Sequence, residues 1–462
     1  MPAYVLVLQL VHPLRMGDQR FVRPVQQGLV AGPVDGLQLL EQLALVQIPC
    51  RRTAVMFRHG VAPPPLHHPL HRRVRPGRGP RPRRPGYPCP MTLRTTVDVS
   101  VDAMIEDLRT LVETESPSRD VEALTASAKT VAGVIESRLG GQAVLVDSEA
   151  GPHVHWSAGG DPKVLILGHH DTVFPLGTLE RRPFAVEGGH ATGPGVFDML
   201  GGLVQAIHGL AALEDRSGVE ILVTADEEVG SHSSRALIEE RALACGAVLV
   251  FEGAADGGAL KTGRKGCGTF RVSVTGRASH AGLEPEAGVN ALIEAAHQVL
   301  HIAALGRPEI GTTVTPTVAS AGTLDNVVPA EATVVVDVRV ESADEKERIE
   351  SAFAALAPHL EDAQITVHGS IGRPPMPESA SAGLFAVARQ LLPGLEGRSV
   401  GGGSDGNFTA ALGVATLDGL GAVGGGAHAD HEYVVIEAMA ERAGLVAGLV
   451  LAIQNAQESE NA

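Results

Sequence analysis

The chain has 462 residues, enough for two or more domains, and its 53 acidic and 37 basic residues give a net charge of −16. This acidic balance argues against nucleic acid or an anionic membrane as a partner. No apolar run reaches the roughly 18 residues of a membrane span, and the four cysteines include no CxxC pair, which argues against a thiolate metal site.

Residues 1–90 differ in composition from the rest of the chain. They contain thirteen arginines, no lysine, three acidic residues and half of the 30 prolines, with no helical or strand period. They are either a basic targeting or tethering arm, or upstream sequence translated from a start assigned too early, with Met91 as the true start. The second interpretation is favoured, so residues 1–90 are expected to be disordered or mis-assigned. A protein that starts at Met91 has no export signal and is expected to be cytoplasmic.

From Met91 onward, helices alternate with short apolar strands. Periodicity predicts helices over 101–114, 121–139, 200–213 and 234–243, and strands over 164–167, 219–224 and 247–251. Strands that are apolar throughout and alternate with helices indicate a buried, mostly parallel sheet with helices on both faces.

The pattern changes after residue 252. Strands are predicted over 269–274, 312–318, 333–340 and 364–368, and helices over 289–301 and 343–356. This β-α-β-β-α-β order indicates a ferredoxin-like α+β domain. Helices over 380–391, 406–411 and 438–453 and a strand over 415–417 then restore the first pattern. We therefore predict an α/β catalytic domain of residues 91–265 and 373–462, interrupted by a lid and dimerisation domain of residues 266–372, called the lid below.

Acidic and histidine residues follow three of the apolar strands. His169 and Asp171 follow the first strand, the acidic run 226–228 follows the second, and Glu252 follows the third. Asp198 and His428 add another carboxylate and imidazole. Each signal has an ordinary structural explanation, such as a loop histidine or a solvated acidic turn. Together they predict a two-metal hydrolase site at the carboxyl edge of the sheet, since oxygen and imidazole ligands without thiolate suit Zn²⁺, Co²⁺ or Mn²⁺.

The order of these motifs resembles the M20 family of co-catalytic zinc peptidases. That family includes glutamate carboxypeptidase of the carboxypeptidase G type, which the chain resembles most, acetylornithine deacetylase and succinyl-diaminopimelate desuccinylase. The motifs that carry the resemblance are GHHDTVFPLG, GPGVFDMLGG, TADEEVGS, VTGRASHAG, NVVPAEATVVVDVR, GGGSDGNF and GGGAHADHEYV.

The resemblance implies two Zn²⁺ ions per chain, with Co²⁺ or Mn²⁺ as alternatives. His169 and Glu252 would bind one ion, Glu228 and His428 the other, and Asp198 would bridge both.

The resemblance also implies three catalytic residues. Asp171 would orient His169, and Glu227 would be the general base. His280 of the lid would stabilise the tetrahedral oxyanion, and in a family dimer it can come from the neighbouring subunit. A surface histidine of the lid is the alternative for His280.

Substrate contacts are expected from five further residues. Arg373 and Arg339 are candidates to grip a substrate carboxylate through two hydrogen bonds. Asn326 resembles a lid asparagine of the glutamate carboxypeptidase branch. Gly403 and Ser404 open a helix whose free N–H groups could bind a carboxylate. The alternatives are that Arg339 pairs with a lid acid and that Ser404 only caps its helix.

Two positions depart from the family pattern. Leu200 stands where the family often has lysine, two residues after the bridging aspartate. The last motif reads HADHE, so that His431 competes with His428 as the ligand. His428 is favoured because a flexible glycine-rich segment precedes it.

The sequence therefore predicts a di-zinc amidohydrolase that releases a C-terminal, glutamate-like residue from a small peptidyl or N-acyl substrate. Deacylation of small N-acyl amino acids, of the acetylornithine deacetylase or aminoacylase type, is the enzymatic alternative. A catalytically inactive binding or scaffold protein is the alternative from another class. A homodimer through the lid is expected from the resemblance.

Overall fold

The computed structural model describes residues 98–461 and their side chains up to residue 456. The predicted extension of residues 1–90 lies outside the described residues. The helices are α1 (Val101–Val112), α2 (Val121–Leu139), α3 (Thr178–Arg181), α4 (Gly201–Ala211), α5 (Arg235–Cys245), α6 (Ala291–Ala303), α7 (Ala343–Ala354), α8 (Glu378–Leu391), α9 (Gly406–Ala411) and α10 (Met439–Asn461).

The strands fall into four sheets. They are β1 (Val144–Val146), β2 (His153–Ser157), β3 (Val164–His169), β4 (Ala185–Glu187), β5 (His190–Thr192), β6 (Val219–Thr224), β7 (Ala247–Val250), β8 (Leu260–Arg264), β9 (Gly266–Thr275), β10 (Thr313–Ala321), β11 (Glu331–Val340), β12 (Gln364–Arg373), β13 (Gly397–Val400), β14 (Ala415–Leu417), β15 (Gly424–Gly425) and β16 (Tyr433–Val435).

The main sheet has six strands in the order β1-β2-β6-β3-β7-β14. Strands β6, β3, β7 and β14 run parallel, as predicted, whereas β2 and β1 add an antiparallel edge. The α/β fold class is thereby confirmed.

Side chains of the central strands alternate between two apolar layers. In β3, Val164 and Ile166 contact the layer that contains α1, α2, α4 and α10, whereas Leu165 and Leu167 contact the layer of α5 and α9. Both faces of the sheet are therefore buried, which explains why the strands read as continuous apolar runs.

The lid forms the predicted ferredoxin-like fold. Strands β9, β10, β11 and β12 make a four-stranded antiparallel sheet in the order β10-β11-β9-β12, with α6 and α7 as the intervening helices. Its separate core includes Phe270 and Phe353, whose rings stack with centroids 3.9 Å apart.

Side chains cap several helices at their first turn. Ser100, Asp120, Asn290 and Ser342 each accept a backbone N–H of α1, α2, α6 or α7. Such a cap contributes about 1 kcal/mol to stability. No helix among residues 98–461 has the length and apolar character needed to cross a membrane.

Candidate metal centre

Three adjacent parallel strands end at the candidate site. His169 is the last residue of β3, the run Asp226–Glu228 follows β6, and Glu252 follows β7 by two positions. Because β3 lies between β6 and β7, their carboxyl ends converge at one edge of the sheet. This edge is where open α/β sheets place their sites.

Asp198 reaches the site from the segment that precedes α4, and its peptide bond with Met199 is cis. The buried carboxylate of Glu432 fixes this segment, because it accepts the backbone N–H groups of Gly195, Phe197 and Asp198, each at 2.9 Å. The sequence analysis did not assign this role to Glu432. A lone glutamate four residues after a ligand was the only signal.

The five predicted ligands lie close to one another. Asp198 directs one oxygen to His169, with Oδ1 3.4 Å from Nε2, and the other to His428, with Oδ2 3.3 Å from Nε2. Glu252 Oε1 lies 3.8 Å from His169 Nε2, and Glu228 Oε2 lies 3.1 Å from His428 Nε2. The cluster therefore has two lobes that share Asp198, which is the pairing expected for two metal ions.

The donor set fits divalent cations. His169 Nε2 is buried and has no hydrogen-bond partner among the described residues. Ligand atoms of His169, Asp198 and Glu228, and those of His169, Glu227 and Glu252, lie within 4.8 Å of one another. Imidazole nitrogens and carboxylate oxygens without thiolate are typical of a two-metal hydrolase centre.

The cluster is strongly anionic. Burial, together with nearby Asp198, raises the pKa of Glu252 to about 7, and burial also raises the pKa of Glu227 well above its ordinary value. Bound cations would reverse these shifts, because they stabilise the ionised carboxylates.

Buried Arg264 offsets part of this charge, and the sequence analysis missed it. It donates to Asp418 at 2.6 and 3.1 Å and lies 3.7 Å from Glu252. An arginine at the end of the short strand β8 was its only sequence signal.

Asp171 contacts His169 differently from the expected arrangement. His169 Nδ1 lies 2.9 Å from the backbone carbonyl oxygen of Asp171 and 3.5 Å from its carboxylate. The carboxylate instead accepts the backbone N–H groups of Glu227 at 3.1 Å and of Glu228 at 3.2 Å, and the hydroxyl of Ser118 at 2.7 Å. Asp171 therefore orients the two glutamates as well as the histidine.

Two histidines close in sequence to the predicted ligands, His170 and His431, lie outside the cluster. His170 is buried away from the cluster, with its ring nitrogens 3.1 Å from Ser127 Oγ and from the Pro152 carbonyl, and burial lowers the pKa of His170 to about 4. His431 lines a different cavity, beside Arg182. The geometry therefore favours His428 over His431 as the ligand.

Two of the expected lid residues, His280 and Asn326, lie next to each other in the lid. His280 is exposed, and its Nδ1 accepts the N–H groups of Gly282 and Leu283, each at 3.1 Å. Exposed Asn326 accepts the backbone N–H of Ala281 at 2.9 Å. Within the described part of this single chain, no hydrogen bond or ion pair joins either residue to the predicted ligands.

The two candidate arginines have different surroundings. Arg339 donates to Asp337 at 3.0 and 2.9 Å and to Cys267 Sγ at 2.8 Å, so that it pairs with a lid acid. Arg373 instead reaches the cluster, where its NH2 lies 2.9 Å from Glu227 Oε1. Both arginines line a cavity of about 410 Å³ between the lid and the main sheet.

The polar groups of Ser404 form hydrogen bonds with neighbouring residues. Its hydroxyl donates to Asp418 at 2.6 Å and accepts the N–H of Gly406 at 3.1 Å, and its own N–H donates to Asn407 at 2.8 Å. The Ser404 N–H is therefore not free for a substrate, and its hydroxyl accepts the N–H of the first residue of α9, which follows the N-cap residue Asp405. Gly403 accepts a hydrogen bond from Arg264 through its carbonyl oxygen at 3.1 Å.

Comparison with known proteins agrees with the geometry. A peptidase dimerisation domain profile of the M20 type matches residues 262–379. Carboxypeptidase G2 of Pseudomonas sp. (strain RS-16) is 33% identical over 372 residues, which cover 76% of this chain and 89% of that protein.

Solved structures show the same fold. Aminopeptidase PepT from Bacillus cereus ATCC 10987 superposes with a TM-score of 0.61 at 20% identity, covering 77% of this chain and 99% of that one. The Bacillus subtilis YXEP protein, described as a dinuclear metal-binding peptidase from the M20 family, gives a TM-score of 0.55 at 16% identity, covering 77% and 98%.

Proposed function

The chain belongs to the M20 family of metallopeptidases, and from that premise we propose that it is a di-zinc carboxypeptidase. Its substrate would be a small peptidyl or N-acyl compound, from which it releases a C-terminal, glutamate-like residue. Two observations carry the proposal: Asp198 lies between His169 and His428, and the buried Nε2 of His169 has no hydrogen-bond partner within residues 98–461.

In the proposed amide hydrolysis, the metal ligands, Glu227 and Asp171 have different roles. His169, Asp198, Glu228, Glu252 and His428 would hold two Zn²⁺ ions, which would supply Lewis-acid chemistry to the amide carbonyl and to an attacking water. Glu227 would take a proton from the attacking water and deliver it to the nitrogen of the leaving residue, while the new C–O bond forms and the amide C–N bond breaks. Asp171 holds Glu227 in place through the backbone N–H at 3.1 Å.

The preference for a terminal carboxylate is supported by charge in the neighbouring cavity. Arg339 is largely neutralised by Asp337, which leaves Arg373 as the better partner for a carboxylate. An arginine fork matches the two oxygens of a carboxylate, and water exclusion strengthens the contact.

A homodimer through the lid is part of the proposal. Helix α6 exposes Leu292, Ile293 and Leu300 to solvent, with 51%, 48% and 73% of their surface accessible. Beside it, β10 is an edge strand of the lid sheet. An exposed apolar helix face next to an unpaired strand edge is typical of an interface between subunits. Such a dimer could bring His280 of one subunit to the cluster of the other.

Amino-acid release by the full-length, Zn²⁺-loaded protein tests the proposal. The substrates are N-acyl glutamates, γ- and α-linked dipeptides and N-acetylornithine, and the variants are Glu227→Gln and, as a matched control, exposed Glu240→Gln. We expect metal-dependent release of glutamate that falls at least 100-fold in Glu227→Gln and is unchanged in Glu240→Gln.

Other outcomes discriminate among the alternatives. Preferential cleavage of N-acetylornithine would assign the chain to the deacylases. Two bound metal ions without cleavage of any substrate would contradict the carboxypeptidase proposal, and absence of metal binding would favour an inactive scaffold.

A further inference from the structure

Three histidines of the lid lie side by side, and none of them is a predicted ligand of the metal centre. His297 and His301 lie on α6, and His359 lies in the segment between α7 and β12. The ring of His359 stacks on the ring of His297, with centroids 4.9 Å apart, and meets the ring of His301 edge to face, with centroids 6.4 Å apart. His359 is therefore a neighbour of both helix histidines.

The spacing of His297 and His301 suits a metal ion. Residues four positions apart lie on one face of a helix, and two histidines at this spacing can bind one Zn²⁺ ion from that face. Two imidazoles on a tetrahedral Zn²⁺ have ring centroids about 5 Å apart, since each ligand nitrogen lies about 2 Å from the metal. The distances of 4.9 and 6.4 Å from the His359 ring are near this value.

Only side-chain rotation separates the observed arrangement from a coordinating one. The rings of His297 and His359 are nearly parallel, with an interplanar angle of 14°, so one ring must turn before both direct a nitrogen at the same ion. All three histidines are exposed, and exposed side chains change rotamer within nanoseconds. The backbone positions already suit a shared ligand.

Buried groups of α6 fix the segment that carries His359. The Glu294 carboxylate is fully buried and accepts the backbone N–H groups of His359 and Leu360 at 2.9 and 2.7 Å. Gln298, which is also fully buried, donates to the backbone carbonyl of Ala357 at 2.9 Å. The third histidine is therefore held against the same helix that carries the other two.

Ring nitrogens remain available for a metal ion. His359 Nδ1 lies 3.6 Å from Glu294 Oε1 and 3.2 Å from Gln298 Nε2, which leaves Nε2 on the other side of the ring. A carboxylate behind a metal-binding imidazole fixes the orientation of the ring and raises its basicity. The rings of His297 and His301 form no hydrogen bond or ion pair with residues 98–456.

We propose that His297, His301 and His359 bind one divalent transition-metal ion of the Zn²⁺ class. Imidazole ligands without thiolate suit Zn²⁺, Cu²⁺ and Ni²⁺, and three protein ligands leave the fourth tetrahedral position to water. The ion joins α6 to the segment that follows α7, so that metal binding restrains this part of the lid. This site is separate from the candidate metal centre and does not depend on the proposed function.

Equilibrium dialysis of the full-length protein at micromolar free Zn²⁺ tests the site. The variants are His297→Gln, His301→Gln and His359→Gln, which replace exposed side chains and leave the lid core intact. The matched control is His368→Gln, at an exposed position on β12 of the lid. We expect each of the three variants to bind one Zn²⁺ ion fewer per chain than wild type, measured by atomic emission, and the control to bind as many as wild type. Only this difference matters, whatever the number of ions bound elsewhere.

Three results would overturn the proposal. The first is equal Zn²⁺ content in wild type and all three variants. The second is a loss confined to His297→Gln and His301→Gln, because a site on the helix alone does not use His359. The third is an equal loss in His368→Gln, which would show unspecific binding by surface histidines.

Hydrogen exchange measured by mass spectrometry locates the ion. Because the ion joins His359 to α6, Zn²⁺ should slow exchange of the backbone N–H groups of His359 and Leu360 at least about five-fold in wild type. The same addition should leave their exchange unchanged in His301→Gln. Slowing of equal size in both proteins would come from ions bound elsewhere and would overturn the lid site.

Discussion

The carboxylate of Glu432 accepts the backbone N–H of Asp198 at 2.9 Å, although 234 positions separate the two residues along the chain. Together with the N–H groups of Gly195 and Phe197, this contact fixes the segment that presents the predicted bridging ligand. A buried carboxylate with three N–H donors forms a rigid support, and supports of this kind tune metal affinity.

Replacing Glu432 with glutamine should weaken metal binding. The amide keeps one oxygen acceptor but turns an NH2 group toward a backbone N–H, so that Asp198 loses its fixed position. We expect Zn²⁺ affinity to fall roughly 10- to 100-fold, measured by competition with a chromogenic chelator. Asp430→Asn is the control, since Asp430 lies in the same turn but is 76% exposed. Equal affinity in wild type and Glu432→Gln would show that Glu432 does not support the site.

Replacement of the two histidines of the HADHE motif should have different effects on metal binding. His428 Nε2 lies 3.1 Å from Glu228, whereas His431 lines another cavity. We expect His428→Ala to retain about one of two Zn²⁺ ions after dialysis and His431→Ala to retain both, measured by atomic emission. The reverse result would make His431 the ligand.

Glu345 should contribute to lid stability in a pH-dependent way. Arg348, which donates to Glu345 at 2.7 and 2.6 Å, holds the pKa of Glu345 at about 2, below the ordinary 4.5. Because the folded-state pKa is depressed, this contribution is present above pH 4.5 and is lost as the pH falls toward 2. For metal-free protein, Glu345→Gln should lower Tm by roughly 2–6 °C at pH 7 and by less at pH 3. Exposed Glu347→Gln on the same helix should change neither value, and a Glu345→Gln effect that is constant with pH would contradict the assignment.

A charge placed on the apolar face of α6 should separate the proposed subunits. Leu300 is 73% exposed in the single chain, so a charged residue there has little effect on the monomer fold. Leu300→Glu should shift the protein from dimer to monomer in sedimentation velocity experiments. Leu243→Glu, at a position 60% exposed on α5, should leave the dimer intact. A wild-type monomer would refute the proposed dimer, and a dimer that tolerates Leu300→Glu would place the interface elsewhere.

Long periodic elements of this fold were predictable, and short ones were not. Strands β3, β6 and β7 are buried along their whole length because both faces of the main sheet are covered. Their mostly apolar sequences were sufficient to predict them as strands. Strands β1 and β15 have only three and two residues and are partly exposed, so no period distinguishes them from loops. For this reason β1, the outermost strand of the antiparallel edge of the main sheet, was missed.

The part of the cluster that lies at strand ends was predictable, whereas Asp198 and His428 come from other segments. Parallel neighbouring strands must bring His169 and Glu252 to one edge, whatever the details of the loops. The carboxylate of Asp171 accepts two backbone N–H groups, and sequence contains no signal for such contacts. The positions of His280 and Asn326 relative to the cluster depend on how the lid is placed, which periodicity does not encode.

In the chain, the lid lies between the first four predicted metal ligands and the fifth, His428. Strand β14, which completes the main sheet beside β7, and the turn that carries His428 both follow β12 in the chain. A ribosome therefore finishes the lid before it supplies the second histidine and Glu432. On the proposed ligand assignment, the nascent chain therefore acquires hydrolytic activity only when the segment after the lid has folded back onto the first half.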